Sequence, residues 1–340
     1  VAECEGVVEV ESEKINNAVE APAAGVLRRR VAREGEVLPV GGLLGVLAGS
    51  AVPDAEVDRV VEEWGATFVP EAAEAEAPEP LLVEVGGRRL QYLRLGEGGA
   101  APLVLLPGFG GDITTFVFNQ QELGARRPVL ALDLPGQGGS DKDVGAGDLP
   151  FLVATVTGFL DALGLDRVHL AGHSMGGLVA GALTLQHPPR VRSLTLIASA
   201  GLGEEINDEY LQGFMAADRR RDMQRVLGLL FSDPALVTRQ LVEGVLRQKR
   251  LDGAEAALRT IADQLFPQGR QATVLDLGQV SAPMLGIWGA DDKILPAAQA
   301  RNLPPSARVE LIDGAGHMPQ MEAAGTVNRT IATHLATVDS

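Results

Sequence analysis

The segment Gly172-His173-Ser174-Met175-Gly176 constrains this chain more than any other. It follows the apolar run Val168-His169-Leu170-Ala171 and leads into a helical pattern beginning near Met175. Small residues flank the serine because a tight strand-to-helix turn leaves no room there for side chains. Such a turn presents the Ser174 hydroxyl at the end of a strand. It also places the Met175 backbone N–H near a helix start, where it can face a developing oxyanion.

After residue 80 the chain alternates strand and helix. Apolar runs at 81–85, 89–94, 103–106, 128–132, 167–171, 193–198, 283–288 and 307–312 predict eight strands, with helical stretches between most of them. That repetition predicts a mostly parallel sheet covered on both faces. From Gly201 to about Gln279 the strands stop and amphipathic helix takes over, as in Val226, Leu229, Leu230 and Leu236, Val237, Leu241. A helical insertion there predicts a cap over the active-site edge of the sheet.

Chain order then selects partners for Ser174. In an α/β sheet with this elbow, an acid and then a histidine follow the nucleophile. His317, just beyond the last predicted strand, is the expected general base; His334 falls inside the final helix. His187 is expected to end a helix, and His169 and His173 to pack beside the elbow. For the acid, Asp292 is preferred in Gly289-Ala290-Asp291-Asp292, three residues after the turn begins, with Asp291 the alternative. Asp133, closing a strand into the turn Gly136-Gln137-Gly138-Gly139, is expected to be structural. The glycine-rich loop Pro107-Gly108-Phe109-Gly110-Gly111 lets a backbone amide approach the nucleophile, so Phe109 N–H and Met175 N–H are the expected oxyanion donors.

With 340 residues the chain has room for a small module besides one large core. Its net charge of -16 argues against general affinity for nucleic acid or an anionic membrane surface. Cys4 is the only cysteine, which excludes an internal disulfide. No apolar run approaches the ~18 residues of a membrane span, so the expected location is the cytoplasm. No metal is implied.

Residues 1–49 carry short strand patterns at 7–11, 18–21, 25–29 and 43–47, and Val57, Val60, Val61 and Trp64 mark one face of a helix over 53–64. Residues 50–80 are this helix and a linker that is Pro, Ala and Glu almost throughout from Pro70 to Pro80. Lys14 lies between two strand-like runs, after the acidic Glu11 and Glu13. These residues resemble lipoyl domains of multienzyme dehydrogenase complexes. The related biotin carriers usually flank the lysine with methionines, whereas Glu13 and Ile15 stand here.

Lysine module, linker and large domain together resemble the dihydrolipoamide acetyltransferase component of acetoin dehydrogenase complexes, a lipoyl domain fused to an α/β-hydrolase. The cap stretches Gly201-Leu202-Gly203-Glu204-Glu205-Ile206-Asn207 and Lys249-Arg250-Leu251-Asp252-Gly253 carry the resemblance further. It implies an α/β-hydrolase domain over 81–340 with a helical cap at about 201–279, preceded by an N-terminally shortened all-β lipoyl-type domain over 1–49. It implies lipoate on Lys14, coenzyme A as acyl acceptor, and thiamine-diphosphate-dependent and dihydrolipoyl dehydrogenase components as partners, with a homo-oligomer as a further expectation. Only thirteen residues precede Lys14, so the first half of a lipoyl domain is expected to be largely missing.

The chain departs from related sequences at Pro107 and Gln137, where related hydrolases often carry histidine. The His-x-x-x-Asp-Gly motif of the usual acyltransferase components is missing, with Gln248 at the histidine position. The expected activity is acetyl transfer through Ser174, His317 and Asp292, with the cap arginines Arg219, Arg220, Arg221 and Arg225 either a solvated face or contacts for coenzyme A phosphates. Two alternatives are a plain serine hydrolase with a relic carrier module and a non-enzymatic carrier scaffold.

Overall fold

The computed structural model describes residues 1, 6–11, 16–21, 23–33, 35–36, 38, 42–67 and 78–340. The chain divides into two compact units, Val1–Ala77 and Pro78–Ser340. In the first, β1 (Gly6–Glu11) pairs antiparallel with β2 (Asn16–Glu20), Val8 opposite Val19 and Glu11 opposite Asn16. Strand β3 (Val26–Arg30) pairs antiparallel with β4 (Gly45–Ala48). Lys14 and Cys4 lie outside the described residues, as do residues 68–77 of the linker region.

Helix α1 (Asp54–Thr67) starts with Asp54 and Glu56 in its first turn, where negative charge suits the helix N-terminus. Arg28 of β3 ties that start in place, bonding Asp54 at 2.7 Å and the carbonyls of Gly49 and Val52 at 3.0 and 2.8 Å. Arg29 pairs with Asp58 one turn later. The expected apolar face is only partly covered: Val57 is buried, whereas Val60 and Trp64 are exposed.

The second unit is one eight-stranded sheet. Its strands are β5 (Leu81–Val85), β6 (Arg88–Leu95), β7 (Leu103–Leu106), β8 (Val129–Leu132), β9 (Val168–His173), β10 (Val191–Ile197), β11 (Met284–Gly289) and β12 (Arg308–Ile312). They lie in the order β12-β11-β10-β9-β7-β8-β6-β5. All neighbours are parallel except the β5–β6 and β6–β8 pairs. The eight sequence-predicted strands are all present, their ends shifted by two residues at most.

Between strands run α2 (Gln120–Leu123), α3 (Leu149–Ala162) and α4 (Met175–Gln186); α9 (Pro319–Glu322) and α10 (Ala324–Asp339) close the chain. β7 and β8 are buried along their whole length, as strands with both faces covered must be. One face packs against Leu152, Val156 and Phe159 of α3 and Val179 and Leu183 of α4, the other against Val327, Ile331 and Leu335 of α10. Residues 175–184 of α4 are buried all round, which suits a helix beneath the cap and over the sheet centre. The cap is α5 (Asp208–Ala216), α6 (Arg220–Leu227), α7 (Arg239–Lys249) and α8 (Ala254–Leu265), with a bridge of Glu205 to Arg270 closing its base. Its helices thus span 208–265, inside the expected 201–279.

Candidate active site

Ser174 ends β9 and caps α4 with φ 52° and ψ -120°, a left-handed backbone for a residue with a side chain. Such a conformation costs about 1–3 kcal/mol and persists only where the surroundings enforce it. Here they do. The Ser174 N–H donates to Ile197 O at 3.0 Å, and its carbonyl accepts from Gly177 and Ala200 at 2.9 and 3.0 Å. A Cβ on Gly172 would meet the Gly176 carbonyl, and one on Gly176 the Leu106 carbonyl, so both flanking glycines are sterically required. The serine side chain makes no capping bond to the helix and lines a cavity with His173 and His317.

Asp292 and His317 meet: Nδ1 of the imidazole lies 2.8 Å from Oδ2 of the carboxylate, with the two side chains 0% and 2% exposed, the acid the more deeply buried. A carboxylate accepts, so Nδ1 carries the proton and Nε2 keeps its lone pair. The other carboxylate oxygen accepts the amides of Ile294 and Leu295 at 2.8 and 3.0 Å, which fixes the acid on its loop. Trp288 Nε1 donates to Leu295 O at 3.1 Å and closes that loop against β11. Asp291, the alternative acid, is exposed.

His317 is held from the cap side. Its N–H donates to Leu230 O at 2.8 Å. Glu322 Oε1 accepts the Gly316 amide at 2.8 Å, while Oε2 accepts the Ser232 amide and hydroxyl, each at 2.8 Å. A Cβ on Gly316 would come within 2.7 Å of Ser232 N. His173 packs its ring 4.8 Å from that of His317 and donates Nε2–H to the His317 carbonyl at 2.8 Å. Burial, and then the neighbouring His317, hold the His173 imidazole well below the usual range, so it stays neutral.

The glycine-rich loop crosses above the elbow. A Cβ on Gly108 would approach His173 Nδ1 to 2.9 Å and Ser174 Cβ to 3.0 Å, so the Phe109 backbone passes close to the serine. The amides of Phe109 and Met175 donate to no carbonyl of the surrounding turns. Gln137 fastens the loop through Oε1, which accepts Gly110 N–H at 2.5 Å. Asp133 fastens the segment beyond it: its carboxylate accepts the amides of Ile113 and Gly139, both at 2.7 Å, and Gln91 Nε2 at 3.1 Å. Burial nevertheless pushes its carboxyl up to about 7 against those amides. Asp133 is buried in the core below the loop, in keeping with a structural part.

The cavity holds about 560 Å³ and is walled on the cap side by Tyr210, Phe214, Leu227, Leu230, Phe231 and Phe266. Phe109 meets Phe214 and Phe266 edge-on at 5.8 and 6.2 Å, joining the glycine-rich loop to the cap. Arginines of the cap are largely paired with carboxylates: Arg219 with Asp218, Arg220 with Glu243 and Arg225 with Glu209.

One expectation is corrected. His169 does not pack beside the elbow: it is the second residue of β9 and bonds Ser193 Oγ at 2.7 Å and Asp339 at 3.2 Å. Five residue steps along the strand, at roughly 3.3 Å each, separate it from the serine. His187 ends α4 and His334 lies in α10, as expected. Sequence reasoning missed Glu322, Gln137, Trp288 and Lys249, whose partners are set by the tertiary fold. Lys249 Nζ donates to the carbonyls of Phe214, Met215 and Ala217 at 2.5, 3.1 and 2.8 Å, holding the end of α5.

A mostly parallel sheet with a strained serine at the β9 turn and a carboxylate–histidine pair on later loops defines an α/β-hydrolase. The family model described as the alpha/beta hydrolase fold matches residues 101–324, and the chain belongs to that family. The dihydrolipoyllysine-residue acetyltransferase component of the acetoin cleaving system from Pseudomonas putida is 48% identical over 331 residues, 97% of this chain and 89% of that protein. The same component from Cupriavidus necator is 42% identical over 331 residues, 97% of this chain and 88% of that protein. Within the α/β-hydrolases, then, the chain belongs with these acetyltransferase components, and it is an enzyme. Among solved structures, a meta-cleavage product hydrolase from Pseudomonas fluorescens shares the fold, with a TM-score of 0.70 at 22% identity over 76% of this chain and 97% of that one. No helix among the described residues is long and apolar enough to cross a membrane.

Proposed function

We propose that the chain transfers an acetyl group from a lipoyl arm on Lys14 to coenzyme A, through Ser174, His317 and Asp292, within a complex that cleaves acetoin. The observation that carries this reading is that His317, bonded to Asp292 at 2.8 Å, shares with Ser174 a cavity whose cap wall is largely apolar. The apolar wall suits an aliphatic acyl-bearing arm and keeps water away from an ester. Lipoate, when bound, supplies the acyl group as a thioester.

Ser174 Oγ attacks the thioester carbonyl while His317 Nε2 takes the hydroxyl proton, and Asp292 stabilises the imidazolium that results. The Phe109 and Met175 amides receive the oxyanion. When the tetrahedral centre collapses, the C–S bond breaks, and His317 returns the proton to the departing thiolate, leaving an acetyl ester on Ser174. His317 next takes the proton of the coenzyme A thiol as its sulfur attacks that ester. Collapse releases acetyl-coenzyme A, and Ser174 regains its proton from His317. One thioester is exchanged for another without a net change in protons or oxidation state.

Partners follow from the same reading: a thiamine-diphosphate-dependent component would load the arm and a dihydrolipoyl dehydrogenase would reoxidise it. Acetyl-dihydrolipoamide with and without coenzyme A tests the central claim. Acetyl-coenzyme A should form in step with the loss of acetyl-dihydrolipoamide. Equal consumption without coenzyme A, yielding acetate, would establish a serine hydrolase instead. Intact mass of the full-length protein after expression with lipoate tests Lys14, with one lipoyl amide per chain expected and an unmodified, folded full-length protein removing the carrier role.

A further inference from the structure

Helix α7 puts an unusual set of residues on the cavity wall. Along its length and N-cap, Thr238, Gln240, Gly244, Arg247 and Gln248 line a space whose other cap-side walls are mostly aromatic or aliphatic. Three arginines gather about one carboxylate here. Glu243 bonds Arg239 Nε at 2.6 Å and faces Arg220 Nη1 at 3.8 Å. The charge of Arg247, one turn further on, also acts on Glu243, yet among the described residues the Arg247 side chain forms no ion pair or hydrogen bond. Helix α7 itself carries Arg239, Arg247 and Lys249 against the single carboxylate Glu243, an excess of positive charge on a chain whose net charge is -16.

Two neighbours point the same way. Gly244 stands inside a helix, where glycine costs about 1 kcal/mol relative to alanine. A Cβ there would meet nothing within 4 Å, so packing does not demand the glycine. It lies three residues before Arg247, on the same helix face, and leaves an opening beside the guanidinium. Gln248 has its Oε1 buried without a partner, an acceptor in want of a donor beside the same cavity.

We propose that Arg247, with the opening at Gly244 beside it, forms the subsite for the phosphate-bearing end of the acyl acceptor, while Gln248 Oε1 accepts an N–H from the amide-bearing arm that follows. This rests on the transfer reading above and extends it by naming where the acceptor is recognised. A guanidinium offers paired N–H donors to phosphate oxygens, while the opening at Gly244 admits the narrow arm of the thiol toward Ser174. The paired Arg220 and Arg239 add a field that attracts a polyanion without needing direct contact. Arg219 and Arg225, already paired with carboxylates, are left to the solvated face.

The test compares coenzyme A with pantetheine, the same thiol without phosphates, using acetyl-dihydrolipoamide as donor. Arg247→Ala should raise KM for coenzyme A by about tenfold, with KM for pantetheine and kcat changed less than about twofold, a loss the size of one exposed charge-assisted contact. Glu243→Gln, which frees two arginines, should lower KM for coenzyme A, and this gain should fade with added salt. Equal KM values for both thiols in the unaltered enzyme, or equal increases for both in Arg247→Ala, would overturn the subsite. A second arm separates this proposal from the transfer reading: inhibition of nitrophenyl acetate hydrolysis by adenosine 3′,5′-bisphosphate. If no acetyl-coenzyme A forms but this anion inhibits the unaltered enzyme and not Arg247→Ala, the subsite stands and transfer falls. If transfer proceeds and Arg247→Ala behaves as the unaltered enzyme, the subsite falls alone. If neither transfer nor inhibition is seen, both fall.

Discussion

On the sheet side of the cavity, the proposed chemistry rests on backbone: Ser174 is held at φ 52° between two glycines that admit no Cβ, and the Phe109 and Met175 amides lie in turns. On the cap side it rests on side chains, with Phe214, Leu230, Phe231 and Phe266 filling a wall that many apolar residues would fill. The first wall tolerates almost no substitution and leaves little choice of geometry. The second can change its lining while keeping its shape, because cores accept apolar exchanges of similar volume at modest cost. Under the proposed transfer, chemistry falls to the rigid wall and selectivity to the adaptable one.

That contrast breaks most sharply at the nucleophile. Ser174→Ala should reduce turnover on the order of 10⁵-fold and abolish the burst from a nitrophenyl ester, since catalysis without the nucleophile falls back to the oxyanion site and binding. Its thermal midpoint should stay within about 2 °C, because the side chain makes no capping bond in the turn. A variant that keeps its burst would place the nucleophile elsewhere.

Asp292→Asn comes next, with an expected loss of about 10³–10⁴-fold in kcat, as an amide facing Nδ1 selects the wrong imidazole tautomer. Asp291→Asn is the control. Its side chain is exposed, and activity should stay within about twofold. Equal losses in the two variants would reopen the choice of acid.

How much of this was legible in the sequence depends on the same physics. The elbow could be read because sterics leave so few residues possible at Gly172 and Gly176. The carboxylate that meets His317 could be read from its offset after Gly289, whose Cβ would strike the Gly316 carbonyl and so forces a tight turn. Glu322 could not be read, since it reaches Ser232, 90 residues earlier, and Gln137 reaches back 27 residues to Gly110. His169 misled because apolar neighbours mark a buried strand without saying which end of it is near the site. The apolar cap residues revealed helices, but the opening at Gly244 and the position of Arg247 become visible only once α7 is set against a cavity.

Asp133 sharpens the comparison beneath the rigid wall. Burial holds its folded-state carboxyl at about 7, above the ~3.9 of an unfolded chain. The folded protein therefore retains a proton that the unfolded chain releases between those values. The extra stability is fully present below about pH 4 and is lost as pH rises through about 7, a change on the order of 2–4 kcal/mol. Urea unfolding from pH 5 to 8 should show this decline in the unaltered protein and a flatter profile in Asp133→Asn. Parallel profiles would mean that the Ile113, Gly139 and Gln91 donors keep the carboxylate ionised and outweigh its burial.

The adaptable wall is tested at Lys249, a cap cation engaged by three carbonyls. Its ammonium satisfies the end of α5 and lies 5.3 Å from the Phe214 ring centre, so it positions an aromatic of the cavity wall from behind. Methionine keeps most of the length and the apolar stem while removing the charge and the donors. Lys249→Met should cost about 1–2 kcal/mol of stability, the range for a partly solvated charge-assisted contact. If the cap governs binding and the elbow governs chemistry, KM should rise severalfold while kcat stays within about twofold and the size of the nitrophenyl ester burst is unchanged. A fall in kcat at constant KM would instead tie the cap to the chemical step, since Phe214 touches Phe109, and the two walls would then work as one.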